Sequence, residues 1–298
     1  MRNSMKKIIT LSLAVGVTTA LIAKPNIDNS GMKENIAKMA GEKGMFVKHE
    51  AFPKDYFLIS KSLPFAVGLT LHHPRSSELG LSKEQLEKIQ KIKGDTIPVV
   101  IESAKKIKKL ELALSKRMMD GAKAEDEHKA VYEIASKKAE LTNHHIRCIE
   151  KVRAILTPKQ RKILLSYAGA KMQKGQKHPI EELVELPHPA KLVIMNDKAL
   201  KITDEQMQKI DSTMLAVYPP LIHGNMDKAE IIEKKIKKEV MRNRATKESL
   251  KDEIQSLVDI KVQITNDHID ALNMLQSILT KSQYAELVKM IKNKKHHH

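Results

Sequence analysis

The sequence predicts an all-α protein, and three observations carry that prediction. Aromatic residues make up only 3% of the chain and tryptophan is absent, while Lys, Glu, Leu, Ile, Ala and Met dominate. That is the vocabulary of helices rather than of sandwiches or barrels. A Ser/Thr-x-x-Gln helix start occurs four times at matched spacing. The third observation is a duplication: residues near 79–168 return, with few changes of pattern, near 200–292.

The first element is not part of the fold. Arg2, Lys6 and Lys7 precede the apolar run "IITLSLAVGVTTALIA", which ends in the small residues Ala20 and Ala23. This is the layout of a cleaved signal peptide over residues 1–23. A membrane anchor would need roughly 20 unbroken apolar residues, whereas this run is shorter and carries Thr10, Ser12, Thr18 and Thr19. No later segment approaches spanning length, so the mature chain is expected to be exported and not integral to a membrane. Cys148 is the sole cysteine, which rules out an intrachain disulfide. Net charge is +17. Four Phe and no Trp leave few groups for stacking on bases, so nucleic acid is not expected, and anionic headgroups or acidic unfolded polypeptides are favoured instead. Residues 24–70 have weak periodicity and receive no assignment. Residues 293–298, which end in His296, His297 and His298, are read as a tail or tag remnant.

The duplication sets the domain plan: a first repeat over 71–168, a Gly- and Pro-containing linker over 169–186, and a second repeat over 187–292. "LGLSKEQLEKI" at 79–89 aligns with "LKITDEQMQKI" at 200–210, an offset of 121, and Pro98 meets Pro219 at the same offset. "NHHI" at 143–146 meets "NDHI" at 266–269, and "ILT" at 155–157 meets "ILT" at 278–280, both at 123. Two inserted residues therefore separate the copies. Upstream, "HHP" at 72–74 is matched to "PHP" at 187–189, an offset of 115.

Within each copy the helix-start motif appears twice. Its members are Leu81-Ser82-x-x-Gln85, Leu156-Thr157-x-x-Gln160, Ile202-Thr203-x-x-Gln206 and Leu279-Thr280-x-x-Gln283. The hydroxyl accepts from a free N–H of the first turn, and the Gln reaches back to the N–H of the cap. The preceding Leu or Ile can pack onto an apolar residue of the first turns, and Pro158 suits the first helical position. Each repeat then reads as a helix of about four turns from Lys83 to Ile97, a break near Pro98, a second helix, a polar turn, a long third helix and a short fourth. The first long helix is expected from Glu125 to Ile155. The second runs to Ile278, after a turn capped by Thr246.

These motifs resemble the Spy/CpxP family of periplasmic helical proteins, whose hallmark is a pair of L-T-x-x-Q motifs behind a signal peptide. The glutamines stand 75 apart in the first copy and 77 in the second, so each repeat looks like one family unit. Ser82 in place of Thr and Ile202 in place of Leu are the departures. The resemblance implies two tandem four-helix hairpin units that form, within one chain, the basic concave cradle that family members build as dimers. It also implies an ATP-independent chaperone or envelope-stress adaptor, with unfolded envelope proteins or a stress-sensor domain as partner, no cofactor required, and room for a homodimer. Other branches of the family sense zinc, cobalt or nickel.

That metal branch draws attention to the histidines. Leu141, His145, Cys148, Val152 and Ile155 form one stripe of a helix, and Ile264, His268, Ala271, Leu275 and Ile278 repeat it. A buried imidazole needs a partner, whether protein, water, metal or haem iron. His73 before Pro74 and His188 before Pro189 are read as a second duplicated pair, so that His73 with His145, and His188 with His268, could hold Zn, Cu, Ni or Co, or less readily haem. Cys148 is a candidate third ligand in the first copy only. No Ser-His-Asp order, P-loop or His-Glu-x-x-His is present, and the chain reads as a non-enzyme.

Overall fold

The computed structural model describes residues 56–59, 63–168, 183, 184, 186 and 189–295, and the chain there is helical with no strand. The signal-peptide region, most of 24–70 and most of the linker lie outside the described residues. The helices are α1 (Ala66–His72), α2 (Lys83–Met119), α3 (Ala124–Ile155), α4 (Pro158–Ala168), α5 (Pro189–Met195), α6 (Asp204–Lys209), α7 (Tyr218–Lys238), α8 (Lys251–Ile278) and α9 (Lys281–Lys295). A short 3-10 turn, Ser76–Leu79, links α1 to α2.

Two hairpins, α2 with α3 and α7 with α8, pack against each other through α3 and α8. These central helices run antiparallel. At one end, Arg153 of α3 donates to the carbonyls of Val240 and Ala245, and the Lys247 amide donates to Glu150, all just ahead of α8. At the other end, Asn273 of α8 accepts from the Ala124 amide and donates to Ala122 O at the start of α3. One apolar core spans both hairpins, with Ile107, Val131, Ile134 and Ile146 of the first repeat joined by Ile236, Leu257 and Ile269 of the second. A smaller cluster closes the far end of the second repeat around Val193, Ile210, Leu275 and Leu287. Among the described residues, no helix is long and apolar enough to cross a membrane.

The expected break at Pro98 does not occur in the first repeat. Helix α2 runs unbroken through that proline for 37 residues, because buried Ile92 and Ile97 before it and Val100, Ile101 and Ala104 after it hold one continuous stripe against the core. In the second repeat the break is real. The chain meets Pro219 and Pro220 together, and α7 restarts with them in its first turn. One proline removes one helical hydrogen bond, whereas two in succession remove two and suit the first turn of a new helix, where the N–H groups have no helical partner.

The two extra residues of the second repeat have a visible home. Glu111 and Lys138 form an ion pair across the first hairpin, and Glu233 and Lys261 form its counterpart across the second. The glutamates are 122 apart and the lysines 123 apart, against 121 for the first motif. One residue is thus inserted before Glu233 and one after it. The interval after Glu233 holds the π-helical turn Glu239–Asn243, whereas the other π turn, Ile210–Leu215, lies ahead of Pro219, where the offset is still 121. A π turn is how a helix absorbs a single extra residue without losing its packing.

His73 is the residue capping the end of α1, and His188, read as its counterpart, lies outside the described residues. The lead-in segments belong to the fold. Tyr56, Phe57, Leu58 and Ile59 ahead of the first repeat, and Leu183, Val184 and Leu186 ahead of the second, are buried in the common core.

Pro98 is solvent-exposed, so replacing it loses little packing. Pro98→Ala is expected to raise stability by about 1–3 kcal/mol by restoring a helical N–H and removing the ring clash. Pro219→Ala, at a helix start that tolerates proline, should change stability far less. Urea unfolding followed by circular dichroism measures both.

Candidate functional site

All four predicted helix starts form with both halves of the capping box. The backbone N–H groups of Gln85, Gln160, Gln206 and Gln283 donate to the hydroxyls of Ser82, Thr157, Thr203 and Thr280 at 3.1 to 3.3 Å. In return each Gln Oε1 accepts from the cap's own N–H at 2.8 to 3.1 Å. The apolar residue before each cap is drawn inward: Leu156 and Leu279 are buried, and Leu81 and Ile202 pack partly against the two cores. Thr246 and Ser249 exchange reciprocal bonds in the turn ahead of α8, but the helix itself starts later, capped by Leu250 without a side-chain bond.

The two motifs of each repeat meet. Gln85 Nε2 donates to Gln160 Oε1 at 2.9 Å, and Gln160 Nε2 donates back to Gln85 Oε1 at 3.0 Å. Gln85 also reaches Ile155 O, and Gln160 reaches Leu79 O and Gly80 O. The second repeat does the same: Gln206 and Gln283 exchange bonds of 2.8 and 3.0 Å, while their remaining N–H groups reach Ile278 O and Lys201 O. The chemistry requires an amide at both positions, since each side chain must donate and accept at once. The backbone carbonyls are presented by a left-handed residue two places before the first cap, Gly80 with φ 54° and Lys201 with φ 52°. Glycine takes that conformation freely; lysine does so at a cost.

A second duplicated device lies at the crossing of α3 and α8. Lys138 and Lys261 are each 4% exposed. Besides its glutamate, Lys138 donates to Leu183 O at 2.6 Å, and Lys261 donates to Leu58 O at 2.7 Å. Each repeat's lysine therefore grips the lead-in segment of the other repeat. Thr142 completes the second grip by accepting from Leu58 N at 2.8 Å. Sequence reasoning passed over these lysines, although both stand on apolar stripes and recur at an offset of 123. A buried ammonium needs a carboxylate and further acceptors, and here it has them.

The histidines separate. His145 is buried on α3, where its ring stacks on Phe65 at 4.6 Å and meets Phe57 edge-on at 5.2 Å. Its Nε2 lies 3.1 Å from Pro64 O, which can only accept, so the proton sits on Nε2 and Nδ1 is left as a buried lone pair without a partner. Burial lowers its pKa to about 4, against an opposing pull from the Pro64 carbonyl and with a small further push from His144. His73 instead stacks on Tyr167 at 4.1 Å, and its Nδ1 accepts from Arg75 N. The two imidazoles lie at opposite ends of α1, about 10 Å apart along its axis, and are not arranged as a ligand pair. His268 is half-buried on α8, and His188 lies outside the described residues. Cys148 is a buried free thiol. Burial raises its pKa, the Thr96 hydroxyl 3.9 Å from its sulfur works the other way, and the thiol stays protonated at neutral pH. Among the described residues, no three His, Cys, Asp or Glu side chains converge as a metal would require.

Compared with known proteins, the chain matches no family model, no curated protein and no solved structure.

Two predictions follow from this geometry. Gln160→Glu, though isosteric, removes the donated bonds and sets a carboxylate against an amide oxygen, so it should cost roughly 2–4 kcal/mol in urea unfolding. Gln283→Glu, at a more open site, should cost less. For His145, the folded pKa of about 4 lies below the ordinary histidine value of 6.5. The unfolded chain thus binds the proton more tightly, and stability falls as pH drops from 6.5 toward 4, by about 3 kcal/mol in all. His145→Phe should flatten that part of the stability curve, measured as urea midpoint against pH.

Proposed function

We propose that the protein is an exported, periplasmic stress-response protein of the Spy/CpxP type. It acts without catalysis, as an ATP-independent chaperone for unfolded envelope proteins or as an adaptor for a stress-sensor domain. The observation that carries this reading is the character of the outer helices. Helix α2 has ten Lys or Arg against five Asp or Glu. Large apolar side chains stand out among those charges, with Leu112 60% exposed on α2 and Ile231 68% exposed on α7. Long basic helices with scattered apolar points bind acidic, partly unfolded chains through many weak contacts and impose no single pose.

A light-scattering assay of an acidic, heat-aggregating client tests the reading with metal-free protein. Suppression is expected near one-to-one stoichiometry. It should weaken in about 1 M salt, where the screening length falls to about 3 Å, and in the double variant Leu112→Ser/Ile231→Ser. No suppression counts against the reading. Suppression that appears only with added Zn, Cu, Ni, Co or haem moves it to a metal- or haem-dependent sensor or carrier.

A further inference from the structure

An apolar cavity between the two repeats has a rim built from cations. It holds about 240 Å³ and lies where α1, α3 and α4 face the π turn Glu239–Asn243. Leu69, Ile149 and Leu164 form its floor, and Leu165, 42% exposed, stands at its mouth. Around them are Arg153, Arg161, Lys162, Arg242 and Arg244, with no Asp or Glu among the described lining residues.

Two of these cations are structural. Arg153 holds Val240 O at 2.7 Å and Ala245 O at 3.1 Å, and Arg161 holds Arg153 O and Leu156 O at 3.1 Å. The side chains of Lys162, Arg242 and Arg244 are exposed and make no hydrogen bond or ion pair among the described residues. Arg244 moreover carries a left-handed backbone, φ 58°, which costs a non-glycine residue free energy.

The duplication supplies an internal control. At the equivalent place in the other half, Gln276 and Tyr284 stand where the first half has Arg153 and Arg161, and Ala285 stands for Lys162. Asp120 matches Arg242, and the left-handed turn is made by Gly121, φ 94°. There Gln276 donates to Met118 O at 2.9 Å and Tyr284 donates to Met119 O at 3.1 Å, closing the same junction with neutral groups. The fold is therefore satisfied without arginine at these positions. Clustering like charges, and forcing one of them into a strained turn, is explained by something that binds there.

We propose that this cavity is a binding site for an amphipathic anion: an apolar chain or ring seated on Leu69, Ile149 and Leu164, with a carboxylate or phosphate head held by Arg242, Arg244 and Lys162. Arginine forks suit such heads through paired, charge-assisted hydrogen bonds. An apolar cavity of about 150 Å³ holds benzene, so 240 Å³ takes a chain of roughly eight to ten carbons.

Isothermal titration calorimetry of the full chain with decanoate, decanol and inorganic phosphate tests this, with decanoate below its micellar concentration. Decanoate is expected to bind one-to-one, and decanol and phosphate each at least about tenfold more weakly. The double variant Arg242→Gln/Arg244→Gln should weaken decanoate by about tenfold or more. Lys162→Gln and Leu165→Gln, single changes at exposed positions of α4, guard against misfolding and should each weaken it measurably, while the remote Lys289→Gln should not. Equal affinity for decanol, unchanged affinity in every rim variant, or binding to phosphatidylglycerol vesicles without binding to free decanoate would each overturn the proposal.

Discussion

Two glutamine amides facing each other hold each half of this protein closed. A capping box alone ends the business of a helix start, since it satisfies one or two exposed N–H groups and nothing more. Here the same glutamine that completes the box has a second N–H and a second lone pair left over, and it spends both on the glutamine of the other motif. The start of α2 is thereby tied to the start of α4, and the start of α6 to that of α9, across 75 and 77 residues of intervening chain. The hairpin between each pair of motifs inherits its register from that tie. The carbonyls that finish the network come from a left-handed residue, which is why the turn before the first cap keeps its shape when Gly80 is replaced by Lys201 in the second copy.

With each half closed, the halves still have to find each other, and they do so through charge placed deep in the seam. Lys138 and Lys261 would be costly where they stand if they met only apolar neighbours. Each has a glutamate on its own hairpin and a backbone carbonyl on the other repeat's lead-in segment. The exchange explains why residues 56–59 and Leu183, Val184 and Leu186, which lack helical periodicity, belong to the core. They are the straps by which two copies of one unit become a single body. His145 fastens the first strap again through Pro64, Phe65 and Phe57, and its neutral ring is suited to that apolar setting.

The same duplication separates what the fold needs from what it does not. Where both copies keep a residue, as with the four glutamines and the two lysines, the geometry supplies a structural reason. Where one copy departs without a structural need, as with Lys162, Arg242 and Arg244 beside the cavity, the proposed anion site accounts for the departure. The basic outer helices belong to neither category, because solvent tolerates most substitutions there.

The sequence by itself determined the helical class, the tandem plan, the four caps and the apolar stripes that bury His145 and Cys148, because capping and helical periodicity are local and repeat with the chain. It also determined that two residues were inserted in the second copy, though not that one falls at a π turn. Only the tertiary structure decided that α2 passes through Pro98, since a continuous buried stripe outweighs one lost hydrogen bond. It likewise decided that His73 and His145 lie apart. Their pairing was inferred from an apolar stripe and a His-Pro spelling, but a seven-residue helix separates the two rings. The glutamine clasps, the exchanged lysine grips and the cation-rimmed cavity join residues 45 to 203 positions apart. Contacts at such separation follow from how whole helices pack, which no local pattern encodes.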